Sequence, residues 1–182
     1  MSAFPTLTRD LELDVAIVGG GVSGLTAAVL LSGRGLRVAV LERDRIASGE
    51  SGNTTSHLTE AVDARYYSVI KDFGLEGARL VSESTREAIA QIETLAASME
   101  GARFERTPGF LYTEDADHLT FLADELDAAR RAGCAVEWVD VVPLPFPTKG
   151  AVRWDGQAQV HATAYLGGLA KEAAHRGVEI FE

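Results

Sequence analysis

Hydrophobic residues fall along the chain in short bursts whose spacing predicts alternating strands and helices. Val15-Ala16-Ile17-Val18 is a continuous apolar run bounded by Gly19, the pattern of a strand covered on both faces. Leu25 to Leu31 is rich in Ala and Leu and predicts a helix. Ser32-Gly33-Arg34-Gly35 ends it with glycines that tolerate positive φ. Val38-Ala39-Val40-Leu41 predicts a second buried strand, so the segment reads as a β-α-β unit with a right-handed crossover between parallel strands.

Glu42 to Ser56 has little apolar content and much Gly, Ser, Thr and Asn, and is expected to be a loop. Two helices are expected after it. The longer, near Leu75 to Met99, places Ala78, Val81, Thr85, Ala88, Ile92, Leu95 and Met99 on one stripe that reads as core packing. Pro108-Gly109 opens a strand at Phe110 to Thr113, and a short strand at Ala102 to Arg106 is expected to pair with it. Leu119, Leu122, Leu126 and Ala129 mark an amphipathic helix closed by Gly133, and Ala135 to Val139 alternates like a strand. Pro143-Leu144-Pro145-Phe146-Pro147 lacks the donors for a regular ladder and predicts an extended loop. Ala151 to Trp154 predicts a strand, Thr163 to His175 a helix ended by Gly177, and Val178 to Phe181 another strand. Two or three strands do not bury both faces of such helices, so an incomplete domain is expected.

Composition narrows the functional classes. The chain has 182 residues, 46% of them hydrophobic and 24% charged, which are globular values. Its formal charge of −10 repels phosphate backbones and anionic lipid, so neither a nucleic-acid partner nor a polybasic membrane role is expected. The apolar run near the N-terminus is no signal peptide, because Asp10, Glu12 and Asp14 outnumber Arg9 before it. Nor does it span a membrane, with Gly19, Gly20 and Gly21 near its middle. The one cysteine, Cys134, excludes an internal disulfide, fits a cytoplasmic location, and reads as a small buried residue ending a helix.

The strongest chemical signal is Gly19-Gly20-Gly21-Val22-Ser23-Gly24, a G-x-G-x-x-G between a predicted strand and a predicted helix. Gly19 allows the tight turn, Gly21 lets a pyrophosphate approach the backbone, and Gly24 lets the helix sit close on the strand. The amides of Gly21, Val22 and Ser23 then face an anion at the positive end of the helix. Glu42 follows Gly24 by 18 residues at the end of the second strand, where a carboxylate can accept from both hydroxyls of an adenosine ribose. It would repel a 2′-phosphate, which argues against NADP. The fold class expected is α/β, with a Rossmann-like dinucleotide-binding unit on an incomplete parallel sheet.

Competing motifs fail on particular residues. A P-loop needs Lys where Leu25 stands. A kinase loop lacks its downstream V-A-I-K strand and H-R-D. Gly49-Glu50-Ser51-Gly52-Asn53 resembles a nucleophile elbow, but Asn53 replaces the last glycine and no strand leads in. His57, His118, His161, His175 and Cys134 show no ligand spacing, so no metal site is expected. The loop after Glu42 bears on the choice between NAD and FAD. A flavin dinucleotide extends past the first helix and needs donors, which Ser48, Ser51, Asn53, Thr54 and Thr55 could supply; a solvated Ser/Thr loop is the alternative.

Asp14 to Ala28, followed by Val40-Leu41-Glu42, resembles the start of the FAD-dependent oxidoreductases of the D-amino-acid oxidase/glycine oxidase superfamily. Gly52-Asn53-Thr54-Thr55-Ser56-His57-Leu58-Thr59, Pro143 to Trp154, and Gln157-Ala158-Gln159-Val160-His161 leading into Tyr165-Leu166 resemble its branch whose longer members end in a Rieske iron–sulfur domain. The resemblance implies a Rossmann-like FAD-binding domain, in part, over residues 1–60 and 162–182, interrupted by a helical and α+β substrate or cap region over 61–161. It implies that Gly19, Gly20, Gly21, Val22, Ser23, Gly24, Glu42 and Arg43 hold the ADP half, with Ser48, Ser51, Asn53, Thr54 and Thr55 lying toward the flavin. Some relatives carry a histidine at the position of Asn53, and in one amine-dehydrogenase branch that histidine is covalently bound to flavin; an amide cannot form that bond, so FAD is expected to be non-covalent. His57 stands where this branch often has Lys, near the flavin ring or in solvent.

The expected chemistry is oxidation of an amine or amino-acid-like donor by hydride transfer to flavin. No catalytic acid or base is assigned, and Tyr112 and Arg153 read as structural. A Rieske 2Fe-2S cluster is expected only if a C-terminal domain follows. A redox partner, or the remainder of the domain, would then be the macromolecular partner. A non-catalytic fragment and an NAD-dependent dehydrogenase are the competing functions.

Overall fold

The computed structural model describes residues 4–182. Along the chain run β1 (Val15–Val18), α1 (Val22–Ser32), β2 (Val38–Leu41), β3 (His57–Leu58), α2 (Tyr66–Ala96), β4 (Glu105–Arg106), β5 (Gly109–Thr113), α3 (Leu119–Arg131), β6 (Val136–Val139), β7 (Gly150–Trp154), β8 (Ala158–Gln159), α4 (Ala162–His175) and β9 (Glu179–Phe181). The chain divides into two compact units. One comprises Met1–Ser56, Thr94–Phe104 and Val160–Glu182; the other His57–Glu93 and Glu105–Gln159.

The first unit is a parallel sheet in the order β1-β2-β9. Val15 pairs with Val38 and Val18 with Leu41, while Val40 pairs with Ile180. Central β2 is apolar at every position, and its Val38, Ala39 and Val40 are buried. Leu25, Ala28 and Val29 of α1 and Tyr165, Leu166, Leu169, Ala170 and Ala173 of α4 form the helical side of this core. β1 departs from expectation. It is the edge strand, with Ala16 exposed and Val18 87% exposed, so only alternate residues are covered. An apolar run fixes the strand but not how many of its faces acquire neighbours.

The second unit carries an antiparallel sheet in the order β5-β7-β6, with Gly109 opposite Trp154 and Val139 opposite Ala151. Leu122, Leu126, Ala128 and Ala129 of α3 join Tyr66, Val69, Ala78, Val152 and Trp154 in its core. A smaller sheet has the order β3-β8-β4. The expected pairing of the strand before Pro108 with Phe110–Thr113 does not occur: Glu105 pairs with Gln159 and Arg106 with Ala158. The cause is a shared partner. Residues 105–113 run antiparallel to residues 150–159 throughout, and the Thr107 amide donates to the Gln157 carbonyl at 3.1 Å between the two ladders. Consecutive segments on one line cannot fold back as a hairpin.

The two helices expected after the loop are present as α2, broken at Gly74, whose φ is 74°. Its stripe is shifted from the expected one. Ala88 is exposed, whereas Ser82 and Ile89 are buried, because Ser82 can enter the core with its hydroxyl satisfied. Arg86 donates to that hydroxyl at 2.8 Å, and the Cys134 thiol lies 3.4 Å away. Cys134 is buried just after α3, as expected, and burial raises its thiol pKa. Buried Glu125 accepts from the Tyr66 and Tyr67 amides at 2.9 and 3.2 Å, satisfying the start of α2, and burial raises its pKa. Arg153 pairs with Glu137 at 3.2 Å and Asp155 at 2.6 Å, a structural role. Pro143 to Pro147 is an extended loop without strand.

Candidate functional site

The turn between β1 and α1 is built by backbone geometry. Gly19 has a φ of 106°, and its amide donates to Leu41 O at 2.8 Å. The chain then turns through Gly20 into Gly21, the N-cap of α1, with extended φ −86° and ψ −171°. A Cβ on Gly24 would overlap the Gly19 carbonyl oxygen, so the helix can approach the strand this closely only without one. The first intrahelical bond is Leu25 N to Gly21 O at 3.0 Å. The amides of Gly21 and Ser23 have no acceptor among the described residues, and Val22 N donates to Ser51 Oγ at 3.3 Å. These are the orphan donors at the positive end of a helix, which is where an anion is favoured.

Glu42 follows β2 directly, and its amide donates to Phe181 O at 2.8 Å. Its Oε2 accepts from Gly20 N at 2.7 Å and its Oε1 from Asp44 N at 2.9 Å. These backbone donors, Asp44 first and Gly20 second, hold its carboxyl below the ordinary carboxylate range. Each oxygen keeps a second lone pair for a ligand hydroxyl.

A pH prediction follows from that shift. The folded pKa of Glu42 lies below its unfolded value, so proton uptake favours unfolding. Its contribution is whole above the ordinary carboxylate range and is lost as pH falls below that range. Glu42→Gln, which keeps one acceptor oxygen, is expected to cost about 1–2 kcal/mol at neutral pH. Thermal melts of both proteins should converge in acid; a gap that widens there would contradict the assignment.

The remaining predicted residues form the loop that faces the turn. Ser51 lies in a 3-10 turn at Glu50–Gly52, with its Oγ 3.0 Å from where a Gly21 Cβ would stand. Ser48 Oγ accepts from Arg45 N at 3.4 Å, Asn53 Nδ2 donates to Gly49 O at 3.2 Å, and Thr54 Oγ1 accepts from Ser56 N at 3.2 Å. Thr55 is exposed. Arg43 is paired with Asp44 at 3.0 Å, with its side chain 90% exposed. Sequence reasoning missed Ile46, which is buried with its side chain against Gly20. Its amide donates to Glu182 Oε1 at 2.8 Å, which ties the loop to the end of β9. One apolar residue in a polar loop was the available signal. No group of acidic, His or Cys side chains among the described residues could hold a metal ion. No helix among them is long and apolar enough to cross a membrane.

The family model of the FAD dependent oxidoreductases, DAO, matches residues 14–182. The chain belongs to this family. Over 183 aligned residues it is 31% identical to YhfW of Bacillus subtilis (strain 168), which is named as a Rieske 2Fe-2S iron–sulfur protein; the match covers 100% of this chain and 36% of YhfW. It is also similar to gamma-glutamylputrescine oxidoreductase of Escherichia coli (strain K12), 36% identical over 43% of this chain and 18% of that protein. Its fold matches glycine oxidase from Geobacillus kaustophilus at a TM-score of 0.69 and 24% identity, covering 93% of this chain and 46% of that one. L-proline dehydrogenase from P. horikoshii matches at 0.73 and 15% identity, over 100% and 45%. The chain thus spans about a third of YhfW and less than half of these solved structures. The matched residues are part of an FAD-dependent oxidoreductase family domain, and they carry the expected α/β fold with a parallel sheet.

Proposed function

We propose that the chain binds FAD non-covalently on the β1–α1 turn, as the cofactor-binding part of an enzyme that oxidises an amine or amino-acid-like small molecule. The observation that carries the reading is the pair of unpartnered amides, Gly21 and Ser23, at the start of α1, with Glu42 fastened beside them on Gly20. The donor set fits a diphosphate and a ribose. The first compact unit would be the FAD-binding part, and the second the substrate or cap region.

Bound FAD would supply the acceptor for a hydride, which carries two electrons and one proton. The work of the chain is to bind and orient it. Gly21, Val22 and Ser23 would present their amides to the diphosphate, Val22 exchanging its bond to Ser51 for the ligand. Gly19, Gly20 and Gly24 keep that backbone free of side chains. Glu42 would accept from the ribose hydroxyls while its backbone bonds keep it ionised. Ser48, Ser51, Asn53, Thr54 and Thr55 would donate along the loop, with Arg43 at its solvent edge. Asn53 offers no ring nitrogen for a covalent flavin bond. A Rieske cluster and a redox partner belong to this reading only through sequence beyond this chain. A single free, buried Cys134 supports a cytoplasmic setting.

Purified protein containing this chain, loaded with FAD and freed of excess by gel filtration, should be yellow, with flavin absorption bands that NAD does not displace. A folded but colourless protein, or one that prefers NAD, would refute the proposal.

A further inference from the structure

Leu41 pairs with Phe181, so Glu42 and Glu182 are the next residues at the same end of two neighbouring parallel strands. Ligands of open α/β folds bind at that end of the sheet. Glu182 is fastened to the protein through both carboxylate oxygens. Its Oε1 accepts from the Ile46 amide at 2.8 Å, and its Oε2 accepts from the Phe4 amide at 2.9 Å. Its own amide donates to Pro5 O at 3.1 Å. The N-terminal arm, the loop after β2 and the end of β9 therefore meet on one carboxylate. Amide bonds to an ionised acceptor are stronger than neutral ones, so this junction is firm.

What Glu182 holds bears on the glycine turn. Ile46 is 4% exposed, with its side chain against Gly20. The next amide, Ala47 N, donates to Gly20 O at 3.4 Å, so the loop grips Gly20 through a side chain and through backbone. Gly20 in turn donates its amide to Glu42 Oε2 at 2.7 Å. The backbone adds a second observation. Ala47 has a φ of 63°, in the left-handed region that a Cβ disfavours. Such a conformation persists only where its surroundings fix it. Here the fixing bonds are the Ile46 amide on Glu182 and the Ala47 amide on Gly20.

We infer that Glu182 is a positioning residue of the cofactor site. By clamping Ile46 it holds Gly20, and through Gly20 it holds the Glu42 carboxylate in place for the ribose hydroxyls. The cofactor's identity rests on the flavoenzyme reading; the clamp on Ile46 does not.

Purified protein containing this chain, stripped of flavin, is titrated with FAD by fluorescence, and exchange of the residue 46 amide is followed without ligand. Glu182→Ala should weaken FAD binding about tenfold and speed exchange of that amide by at least about the same factor. Glu182→Gln keeps one acceptor oxygen and should fall between parent and Glu182→Ala. The double-mutant cycle separates positioning from general loosening. In a Glu42→Ala background, removing Glu182 should cost no more than about a further twofold, because the residue it positions is gone. If Glu182→Ala does not fold, Ile46→Ala decides in its place. It keeps the amide bond but loses the contact with Gly20, and should weaken FAD binding about as much. Full FAD affinity in folded Glu182→Ala, or in Ile46→Ala where that variant decides, overturns the inference. So does an equal loss with and without Glu42, or unchanged exchange at residue 46. A parent that takes up no FAD, yet loses protection at that amide when Glu182 is replaced, upholds the clamp and sinks only the flavoenzyme reading.

Discussion

Gly21→Val is expected to abolish practical FAD binding while leaving the fold standing. The two effects separate because of where Gly21 sits. Its φ of −86° and ψ of −171° are extended backbone, which a β-branched residue adopts readily. Among the described residues, and apart from its own chain neighbours, no backbone atom lies within 4 Å of the position of the new Cβ; its neighbours there are Ser51 Oγ at 3.0 Å and Ser51 Cβ at 3.9 Å. The valine methyls would therefore push Ser51 aside and fill the gap between the loop and the first turn of α1. That gap is where the diphosphate would meet the amides of Gly21, Val22 and Ser23. Excluding it from two charge-assisted hydrogen bonds removes about 3–6 kcal/mol, at about 1.5–3 kcal/mol for each. In affinity that is a loss of about 10²–10⁴-fold. Flavin-fluorescence titration measures the dissociation constant, and circular dichroism with a thermal melt checks the fold. Undiminished FAD affinity in a folded Gly21→Val protein would move the diphosphate off this turn.

The turn is the part of the candidate site whose geometry sequence discloses best, because that geometry is carried by backbone, and glycines at fixed spacing record what the backbone must do. Glu42 was legible for a related reason: a strand of known length ends beside the turn, so the next residue faces it. Ile46 was not legible. Ile46 works by packing on Gly20, and a lone large apolar residue in a polar loop has no periodicity to say which neighbour it packs on.

The fold divides along the same line. β2, α3 and α4 bury enough residues to write their period into the sequence. β4 and β8 have two residues each, below the length at which alternation can be recognised, and their pairing is set by the neighbouring ladder of β5 with β7. The stripe of α2 slipped because Ser82 took a core position through bonds to Arg86 and Cys134, which hydrophobicity alone assigns to solvent.

Gly24→Ala tests the opposite failure at the same turn, loss of stability before loss of binding. The helical backbone at Gly24 accepts alanine well, and by propensity alone the change should stabilise α1 by about 0.8–1.0 kcal/mol. Contact decides otherwise. The new Cβ would overlap the Gly19 carbonyl oxygen, with the Gly19 carbonyl carbon and Ile17 Cγ2 each at 3.2 Å. The overlapped atom is backbone, so no rotamer change relieves it. Either α1 moves off β1 or the Gly19 peptide turns, and Gly19 is tied by its amide to Leu41 O at 2.8 Å. Overpacking of this kind costs about 3 kcal/mol, enough to outweigh the propensity gain. For a chain of this size the net loss of about 2 kcal/mol should lower the melting temperature by roughly 4–8 °C. Because the displaced atoms carry the orphan amides, FAD affinity should fall with it. A Gly24→Ala protein that melts with the parent and still binds FAD would mean that α1 and β1 stand further apart than the ladder of β1 with β2 and the bond from Gly19 to Leu41 hold them.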